Sequence, residues 1–545
     1  MINYLKEEQA NRVFLILLLS FVILYFYNLG MPSIWNPNEA FYAETPREMI
    51  EKKDYMTPYF NYEYRFQKPI LTYWLVLPWC FLLGLKEMSV RMVSALSAAG
   101  GIFLVYWLGK SVWNNKRAGL ISGILLAAAV DYNSLARYGS TDMLLTVLIT
   151  LALVLFYKGY TDKNGQRLWY FMVYVACGFA TLTKGPVGII IPFLIIFTFL
   201  LIKKDIHGLK RFISVYGFLA FLLIASSWYI FMTYTYGNEF FSVLQRENIV
   251  RFTEKISGST DPFYYVSVIS WNFFPGSVFI IPASYWLFRN FRQQENIKFP
   301  VVWFLVVFIF FSIAKSKLPA YILSALPALS VIVGGWIDKA CFSEAKGRKA
   351  ILWLSPFILL AIFSATLWVK TFLPDINLYF IGIIAFLFLV SILSIKKKMY
   401  YLSLIISIAG MIVFNLIFLS DILPQVEKYR PYKEMAKQVK LIDPDKRLPF
   451  YCYEGYQQNL SFYMERKILR FKHKEELEEL LKDRKKGFIL FKKDTFEKTF
   501  GNSGWRIAWE GLFYKKSESM FMNFLMDIKK KNLEEYVIIH YTEGR

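Results

Sequence analysis

The stretch WNPNEAFYAETPREM, residues 35–49, concentrates carboxylates and aromatic rings directly after the first long apolar run of the chain. Glu39 and Glu44 flank an aromatic pair there, and a carboxylate in such a place can serve as a general base or stabilise developing positive charge. Asp142 follows the sequence RYGST at the start of another apolar run. We expect these groups to form the floor of a catalytic cavity. The structural alternatives are a solvated loop face for the two glutamates and complementation of a helix dipole for Asp142.

Lysines beside proline turns are the second group of residues that could carry chemistry. The segments QKPI (67–70), TKGP (183–186) and AKSKLPAY (314–321) each contain one or two of them. A single such lysine usually extends to the lipid headgroups, but several that converge would form a site for an anion such as phosphate. The predicted cations are Lys68, Lys184, Lys315 and Lys317, together with Arg246 and Arg251 of the 236–265 loop.

Metal and nucleotide chemistry are disfavoured by the residue types present. The only three histidines are His207, His473 and His540, and we place none of them in the outer loops, so a histidine-ligated zinc site there is not expected. The sequence has no P-loop, GxSxG or Rossmann signature. Four cysteines without a CxxC motif indicate no disulfide framework. The net charge of +22 is attributed to cytoplasmic loops facing anionic headgroups and not to nucleic acid.

The elements that must position these residues are membrane helices. The chain has 545 residues, is 56% hydrophobic and has a mean hydropathy of +0.37, which a soluble domain could not bury. Apolar runs of about 17–22 residues recur over the first 420 positions, as spanning helices require. The thirteen predicted spans are 12–29, 89–109, 118–137, 141–158, 168–183, 186–202, 212–233, 266–288, 299–314, 318–337, 350–369, 376–395 and 400–420.

A fourteenth apolar run at 70–85 is short and contains Pro78, and the basic loops decide its role. If it lies along the interface and the N-terminus is cytoplasmic, six loops with twenty Lys and Arg face the cytoplasm, which satisfies the positive-inside rule. We therefore predict an interfacial helix at 70–85. This topology brings the 30–88 segment, Asp142, Lys184, the 236–265 loop and Lys317 to the same outer surface.

The polar tail predicts a separate small domain. RLPFYCYEG, KGFILFKK and WRIAWEGLFYKK have the composition of short strands, and HKEELEELLKDRKK has that of an amphipathic helix. The predicted domains are a transmembrane domain, 1–420, with an outer catalytic loop at 30–88, and an α/β domain, 421–545. The odd number of spans places the second domain outside the membrane, in the periplasm.

Six segments, in their order and spacing, resemble the bacterial GT-C glycosyltransferases, above all the aminoarabinose transferases in the wider protein O-mannosyltransferase superfamily. They are WNPNEAFYAETPREM, QKPILTYW, GLKEMSVRMVSAL, TDMLLT, TKGPVGIIIP and SKLPAYILSALPAL. The resemblance implies a polytopic GT-C fold in the cytoplasmic (inner) membrane. It also implies inverting transfer of a sugar from a polyprenyl-phosphate donor to lipid A or another glycan or protein acceptor at the outer face. Lys68 and Arg251 are then expected to bind the lipid phosphate, with Lys184 and Lys317 assisting.

The sequence departs from the family pattern at the positions that matter most for chemistry. Asn38 replaces an aspartate, Phe41 an arginine, and Gln67 a glutamate that belongs to a metal-ligand pair. Asn248 stands where the histidine of that pair is expected, so we predict no metal and no other cofactor. The base would then come from Glu39, Glu44 or Asp142.

A phosphate acceptor, already ionised near neutral pH, would mainly need positioning. Two other functions stay open at this stage. One is a transporter or flippase of lipid-linked sugars, which the scarcity of acids near the bilayer midplane disfavours. The other is a catalytically degenerate homologue.

Overall fold

A computed structural model describes residues 2–162, 164–247, 254, 258–342, 352–471, 473, 475–477, 479, 486–501, 505–514 and 533–541. Helices dominate the chain up to residue 427. They are α1 (Ile2–Phe26), α2 (Asn38–Lys52), α3 (Leu71–Leu83), α4 (Glu87–Trp113), α5 (Lys116–Ala128), α6 (Val130–Ala136), α7 (Thr141–Thr161), α8 (Gln166–Lys184), α9 (Val187–Ile202), α10 (Ile206–Phe212), α11 (Val215–Gln245), α12 (Tyr264–Asn272), α13 (Ile280–Asn290), α14 (Lys298–Ile313), α15 (Leu326–Phe342), α16 (Ser355–Lys370), α17 (Leu378–Lys396), α18 (Tyr400–Ile417) and α19 (Leu423–Glu427).

The described residues contain eight helices that are long and apolar enough to cross a membrane, or ten if two bent pairs count as one span each. Each of the thirteen predicted spans overlaps a helix, which confirms a multi-pass helical membrane protein. The count of thirteen itself stays a prediction. The apolar helix at 70–85 is α3, with only 13 residues, and its place relative to the membrane also stays a prediction.

Two predicted spans differ in shape from the straight helices that hydropathy suggests. The helix expected at 266–288 is interrupted between Asn272 and Gly276, where the axis turns by 114°. Pro275 lies in the break, and a proline removes a backbone donor and clashes with the preceding turn. The span expected at 118–137 bends by 68° between α5 and α6. The bundle therefore contains two broken helices among its predicted spans.

The 35–49 stretch is mostly a helix and not an open loop. Helix α2 begins at Asn38 and buries ten of its fifteen residues, including three of its four glutamates, Glu39, Glu44 and Glu48. A short hairpin follows, in which β1 (Tyr59–Phe60) pairs antiparallel with β2 (Glu63–Tyr64). The chain then enters the QKPI turn and α3. The segment between α1 and α4 thus forms a folded layer at one end of the bundle.

The tail folds as the predicted small α/β domain. Strands β3 (Phe450–Cys452), β4 (Ile468–Arg470), β5 (Gly487–Lys492), β6 (Arg506–Phe513) and β7 (Glu534–Tyr541) form a mixed sheet in the order β4-β3-β5-β7-β6. Its helices are α20 (Tyr432–Ile442), α21 (Leu460–Met464) and α22 (Lys493–Phe500). The predicted strands correspond to β3, β5 and β6, whereas β4 and β7 were not predicted. Most of the helix predicted at 473–486 lies outside the described residues. The boundary at 420/421 stays a prediction, because α18 continues through a π-helical turn into α19.

The small domain packs on the loop between α1 and α2. Arg430 donates to the carbonyl oxygens of Ser33 and Ile34, at 3.1 and 2.9 Å. The amide of Asn459 donates to the carbonyl of Ile34 at 2.9 Å, and the backbone N–H of Gln458 donates to the side chain of Asn36 at 2.8 Å. These contacts fix the chain that leads directly into α2.

Candidate functional site

A cavity of about 470 Å³ lies between the QKPI turn, α7, α8, α11 and the 314–324 segment. Most of its wall is apolar, and its polar groups come from residues far apart in the sequence. The polar and charged side chains of its lining are Gln67, Lys68, Asp142, Thr146, Lys184, Tyr229, Glu247, Ser316, Tyr321 and Ser324. A largely apolar cavity with a few convergent polar groups is the usual form of a small-molecule or lipid site.

Lys184 and Asp142 form an ion pair at this cavity. Asp142 is held at the N-terminus of α7, where its backbone N–H donates to the capping hydroxyl of Ser140 at 3.3 Å. Lys184 ends α8, and its Nζ lies 5.0 Å from the centre of the Tyr321 ring. The side chains of Lys184 and Asp142 are 19% and 13% exposed. The predicted convergence of these two residues is therefore seen in the structure.

Lys68 and Glu247 form the second ion pair of the cavity, with 2.7 Å between Nζ and Oε2. The QKPI turn supplies Lys68, and the end of α11 brings Glu247 across from a position 179 residues later. Their side chains are 18% and 19% exposed. Two lysines thus lie on one cavity, each beside a carboxylate.

Lys317, predicted to assist at the phosphate, has a different position. Its side chain is 3% exposed and its Nζ donates to the carbonyl oxygen of Thr260 at 3.3 Å. Its backbone pairs with Ser259 through two hydrogen bonds of 3.1 Å. Gly258 precedes this pairing with a φ of +79°, and a Cβ there would lie 2.0 Å from the Lys317 carbonyl oxygen. Lys317 therefore anchors the 258–260 segment, while its neighbour Ser316 lines the cavity.

Glu39 was expected on the cavity floor, but it is fully buried and is not among the residues that line this cavity. Arg91 of α4 donates to both of its carboxylate oxygens, at 2.8 and 2.7 Å. The backbone N–H groups of Trp35 and Gly139 donate to the same two oxygens, each at 2.8 Å. Four donors therefore saturate this carboxylate, and the arrangement joins the α1–α2 loop, α4 and the start of α7.

Glu44 is likewise buried and is not among the lining residues of this cavity. Arg47 donates to both of its oxygens at 2.7 Å, and a further N–H of Arg47 reaches Glu51 at 2.5 Å. Burial raises the pKa of Glu44, against the opposing effect of Arg47. Glu48 lies one turn further along α2, where burial and then the charge of Glu44 raise its pKa to about 9. The described contacts therefore give Glu44 a structural environment, unlike the catalytic one predicted for it.

Two further predicted residues complete the placement. Asn38, at the first position of α2, is exposed to solvent, as its place at the start of an outer helix allows. Arg251 lies outside the described residues, as does Asn248. Of the predicted site residues that the structure describes, the cavity therefore brings together Lys68, Asp142 and Lys184, but not Asn38, Glu39, Glu44 or Lys317.

Metal ligands do not converge in the part of the chain that the structure describes, where no group of three or more His, Cys, Asp and Glu side chains has a suitable arrangement. Gln67 lines the cavity with an amide where the resemblance implies a glutamate, and an amide oxygen is a poorer ligand for divalent zinc than a carboxylate. The residues present do not fit the metal pair that the resemblance implies. That the chain works without a metal stays a prediction.

Six polar residues of the cavity lining were not predicted as site residues from the sequence: Thr146, Tyr229, Glu247, Ser316, Tyr321 and Ser324. Glu247 lies between Arg246 and Arg251, in the loop that was expected to bind phosphate. Its negative charge beside these arginines was the signal in the sequence that it could pair with a lysine. Tyr321 closes the AKSKLPAY segment, and Ser316 lies within it. Their roles depend on how α11 and the 314–321 segment approach α8, which sequence spacing does not encode.

Comparisons with known proteins agree with the fold and with the resemblance. A family model for dolichyl-phosphate-mannose-protein mannosyltransferases matches residues 11–238. An uncharacterised protein of Aquifex aeolicus is 32% identical over 533 residues, which are 97% of this chain and 99% of that protein. The undecaprenyl phosphate-alpha-4-amino-4-deoxy-L-arabinose arabinosyl transferase of Yersinia pestis is 28% identical over 332 residues, which are 59% of this chain and 58% of the transferase.

Solved structures match over nearly the whole chain. The crystal structure of ArnT from Cupriavidus metallidurans bound to undecaprenyl phosphate has a TM-score of 0.76 at 21% identity, and covers 96% of this chain and 97% of that one. At this level of identity the match establishes the fold, including the small C-terminal domain that the coverage spans. Together, the family model, the relatives and the shared fold show that the chain has the GT-C fold and resembles the aminoarabinose transferases and the protein mannosyltransferases.

Proposed function

We propose that the protein transfers a sugar from a polyprenyl-phosphate donor to an acceptor at the outer face of the cytoplasmic membrane, with inversion at the anomeric carbon. The observation that carries this proposal is the apolar cavity with the pairs Lys68–Glu247 and Lys184–Asp142 at its polar groups. An apolar wall suits a polyprenyl chain, and ammonium groups suit its phosphate. The solved relative bound to undecaprenyl phosphate supports the same class of donor.

The reaction breaks the bond between the anomeric carbon and the phosphate oxygen, and forms a bond from that carbon to an acceptor oxygen. The electron pair of the broken bond goes to the lipid phosphate, whose added negative charge requires stabilisation in the transition state. Lys68 and Lys184 are the groups placed to supply it. The phosphate would exchange with Glu247 and Asp142 as the partner of each ammonium group, so that the carboxylates hold the lysines charged and directed at the cavity until the donor arrives.

The acceptor determines whether a base is needed. A hydroxyl acceptor must lose its proton during the transfer, and Asp142 and Glu247 are the carboxylates on the cavity wall that could receive it, of which Asp142 was the one expected from the sequence. A phosphate acceptor is already ionised and needs only orientation. Lipid A and other envelope glycans or proteins are the acceptors that fit a reaction at this surface. In this proposal the C-terminal domain lies in the periplasm above the cavity, where it holds the α1–α2 loop.

The proposal is tested with the full chain in lipid nanodiscs and a radiolabelled undecaprenyl-phosphate sugar. We expect Lys68→Ala to weaken donor binding at least tenfold, since a charge-assisted contact contributes about 1.5–3 kcal/mol. The matched control is Lys86→Ala, which removes an exposed lysine at the start of α4 and should leave binding unchanged.

Two outcomes would contradict the assignment. Equal donor affinity in Lys68→Ala and the control would show that the donor phosphate does not bind in this cavity. Donor movement between the leaflets without transfer to any envelope acceptor would identify a flippase and not a transferase.

A further inference from the structure

Arg65 is a buried cation whose charge is not matched by a carboxylate in the described residues. Its residue is 8% exposed, and the ion pairs of this region do not include it. Its Nε donates to the hydroxyl of Tyr73 at 3.2 Å, and its guanidinium lies 3.8 Å from the centre of the Phe41 ring. A buried guanidinium normally has an anionic partner, because isolated charge is costly to remove from water.

The terminal nitrogens of Arg65 are not in a sealed environment. Neither of its two terminal nitrogens is fully buried. No side-chain hydrogen bond from them to a described residue is seen, so they face accessible space. One end of this arginine is thus fixed by Tyr73 and Phe41, and the other end is open to a ligand.

Arg65 is not among the residues that line the apolar cavity, whereas Phe66, the next residue, lines it and packs on Tyr236 and Phe240 of α11. The contact with Phe41 places the guanidinium of Arg65 against α2. Phe41, which its guanidinium covers, lies three residues after Asn38 and therefore on the same face of that helix.

We propose that Arg65 is a specificity-determining residue that binds a second oxyanion of the substrates, apart from the donor phosphate at Lys68 and Lys184. The oxyanion belongs either to the transferred sugar, as a carboxylate, or to the acceptor, as a phosphate. This inference rests on the proposed function, because it takes the cavity on the Phe66 side for the lipid phosphate.

The uncharged side chain of Asn38, at the start of α2, affects whether Arg65 is available for substrate. An aspartate at the exposed start of α2 would lie on the face that Arg65 covers and would attract the guanidinium. The uncharged amide of Asn38 leaves the cation available for substrate. The replacement that removes a base from this position therefore also preserves an anion site beside it.

The test measures binding of soluble probes by saturation-transfer NMR, with the full chain in nanodiscs and without any lipid donor. The probes are methyl glucuronide, glucosamine 1-phosphate and, as the uncharged reference, methyl glucoside. We expect the wild type to prefer one charged probe, and Arg65→Met to weaken that probe at least tenfold while Arg65→Lys retains part of the affinity. Preference for the glucuronide assigns the oxyanion to the sugar, and preference for the phosphate assigns it to the acceptor.

Binding of undecaprenyl phosphate provides the independent readout. It should be unchanged in Arg65→Met and weakened in Lys68→Ala, so failure of the donor assignment is distinguished from failure at Arg65. If Arg65→Met does not fold, Asn38→Asp at its exposed position gives the same test, and we expect it to weaken the preferred charged probe severalfold. Equal binding of charged and uncharged probes by the wild type, or unchanged binding in these variants, would overturn the proposal.

Discussion

The buried pair Glu39–Arg91 and the cavity pair Lys184–Asp142 contain the same kinds of charge but have different surroundings. The side chains of the first pair are 0–1% exposed, and four donors occupy the carboxylate of Glu39. Those of the second are 13–19% exposed and lie on the wall of a cavity. A saturated pair has no capacity left for a ligand, whereas a partly exposed pair can exchange partners. The comparison therefore separates a carboxylate that holds the layer between α1 and α4 together from the carboxylates of the cavity wall, which can take part in a reaction.

The largest expected effect comes from breaking the buried pair. Arg91→Met leaves the Glu39 carboxylate without its main partner, and removing one partner of such a pair costs about 3–5 kcal/mol in the free energy of unfolding. The loss should appear as a lower midpoint of thermal unfolding in nanodiscs. Arg12→Met is the control, since Arg12 and Glu8 form an exposed pair worth about 0–1 kcal/mol. A Glu39→Gln variant that folds normally but has lost its turnover would instead return Glu39 to the catalytic role first expected of it.

Asp142→Asn tests the other side of the comparison. If Asp142 receives a proton from a hydroxyl acceptor, turnover should fall by about 10²–10⁴-fold, the usual contribution of a positioned base. The variant keeps the size of the side chain, so the unfolding midpoint should stay near that of the wild type. Glu63→Gln, at an exposed position of β2, serves as the matched control. Unchanged turnover in single-turnover assays would show that no proton passes through Asp142 and would favour an ionised acceptor.

Asn38→Asp sharpens the same question with a smaller effect. A new carboxylate near a phosphate acceptor should repel it, and two unit charges 4 Å apart in water interact by about 1 kcal/mol, or about fivefold in rate. With a hydroxyl acceptor the restored base should raise the rate. The measurement is kcat/KM with the isolated natural acceptor mixture. A rate equal to that of the wild type would place Asn38 away from the reacting atoms.

The last prediction concerns the pH dependence of stability through Glu48. Burial raises the pKa of this carboxyl to about 9 in the folded protein, while the unfolded chain has the ordinary value near 4.5. Between these values the folded state holds one proton more, so its stability should decrease as pH rises, by at most about 1.4 kcal/mol per pH unit. Glu48→Gln removes the titration and should flatten the curve of unfolding midpoint against pH from 5 to 8.5. Parallel curves for the variant and the wild type would show that Glu48 is already ionised.

The sequence predicts the helices well because hydropathy is a local property. Every predicted span overlaps a helix, and the errors lie where backbone geometry intervenes, as at Pro275, where the break bends the chain by 114°. Helix α2 was interpreted as part of a loop because its polar residues mask a helix that is buried mainly by α3 and β1. Strand β7 was missed, although EEYVIIHY has an apolar core, because the preceding segment gave no turn signal.

The candidate site was predicted in part. The predicted topology placed Lys68, Asp142 and Lys184 at the same surface of the membrane, because each lies at the end of an apolar run that faces that surface. The structure has all three on the wall of one cavity. The predicted topology could not distinguish Asp142 from Glu39, since that difference depends on Arg91, which lies 52 positions away and reaches the Glu39 carboxylate only in the folded chain. The same holds for Glu247, whose approach to Lys68 depends on the length and direction of α11.

The hydrogen bonds between the small domain and the α1–α2 loop determine when, during synthesis of the chain, this loop can reach its final structure. Ser33 and Ile34 emerge from the ribosome nearly 400 residues before Arg430, which donates to their carbonyl oxygens. The bundle can insert helix by helix as it is made, but the entry to α2 acquires its final partners only after the tail has been translated and has reached the same side of the membrane. Chains that terminate before Arg430 would therefore lack these contacts to the α1–α2 loop.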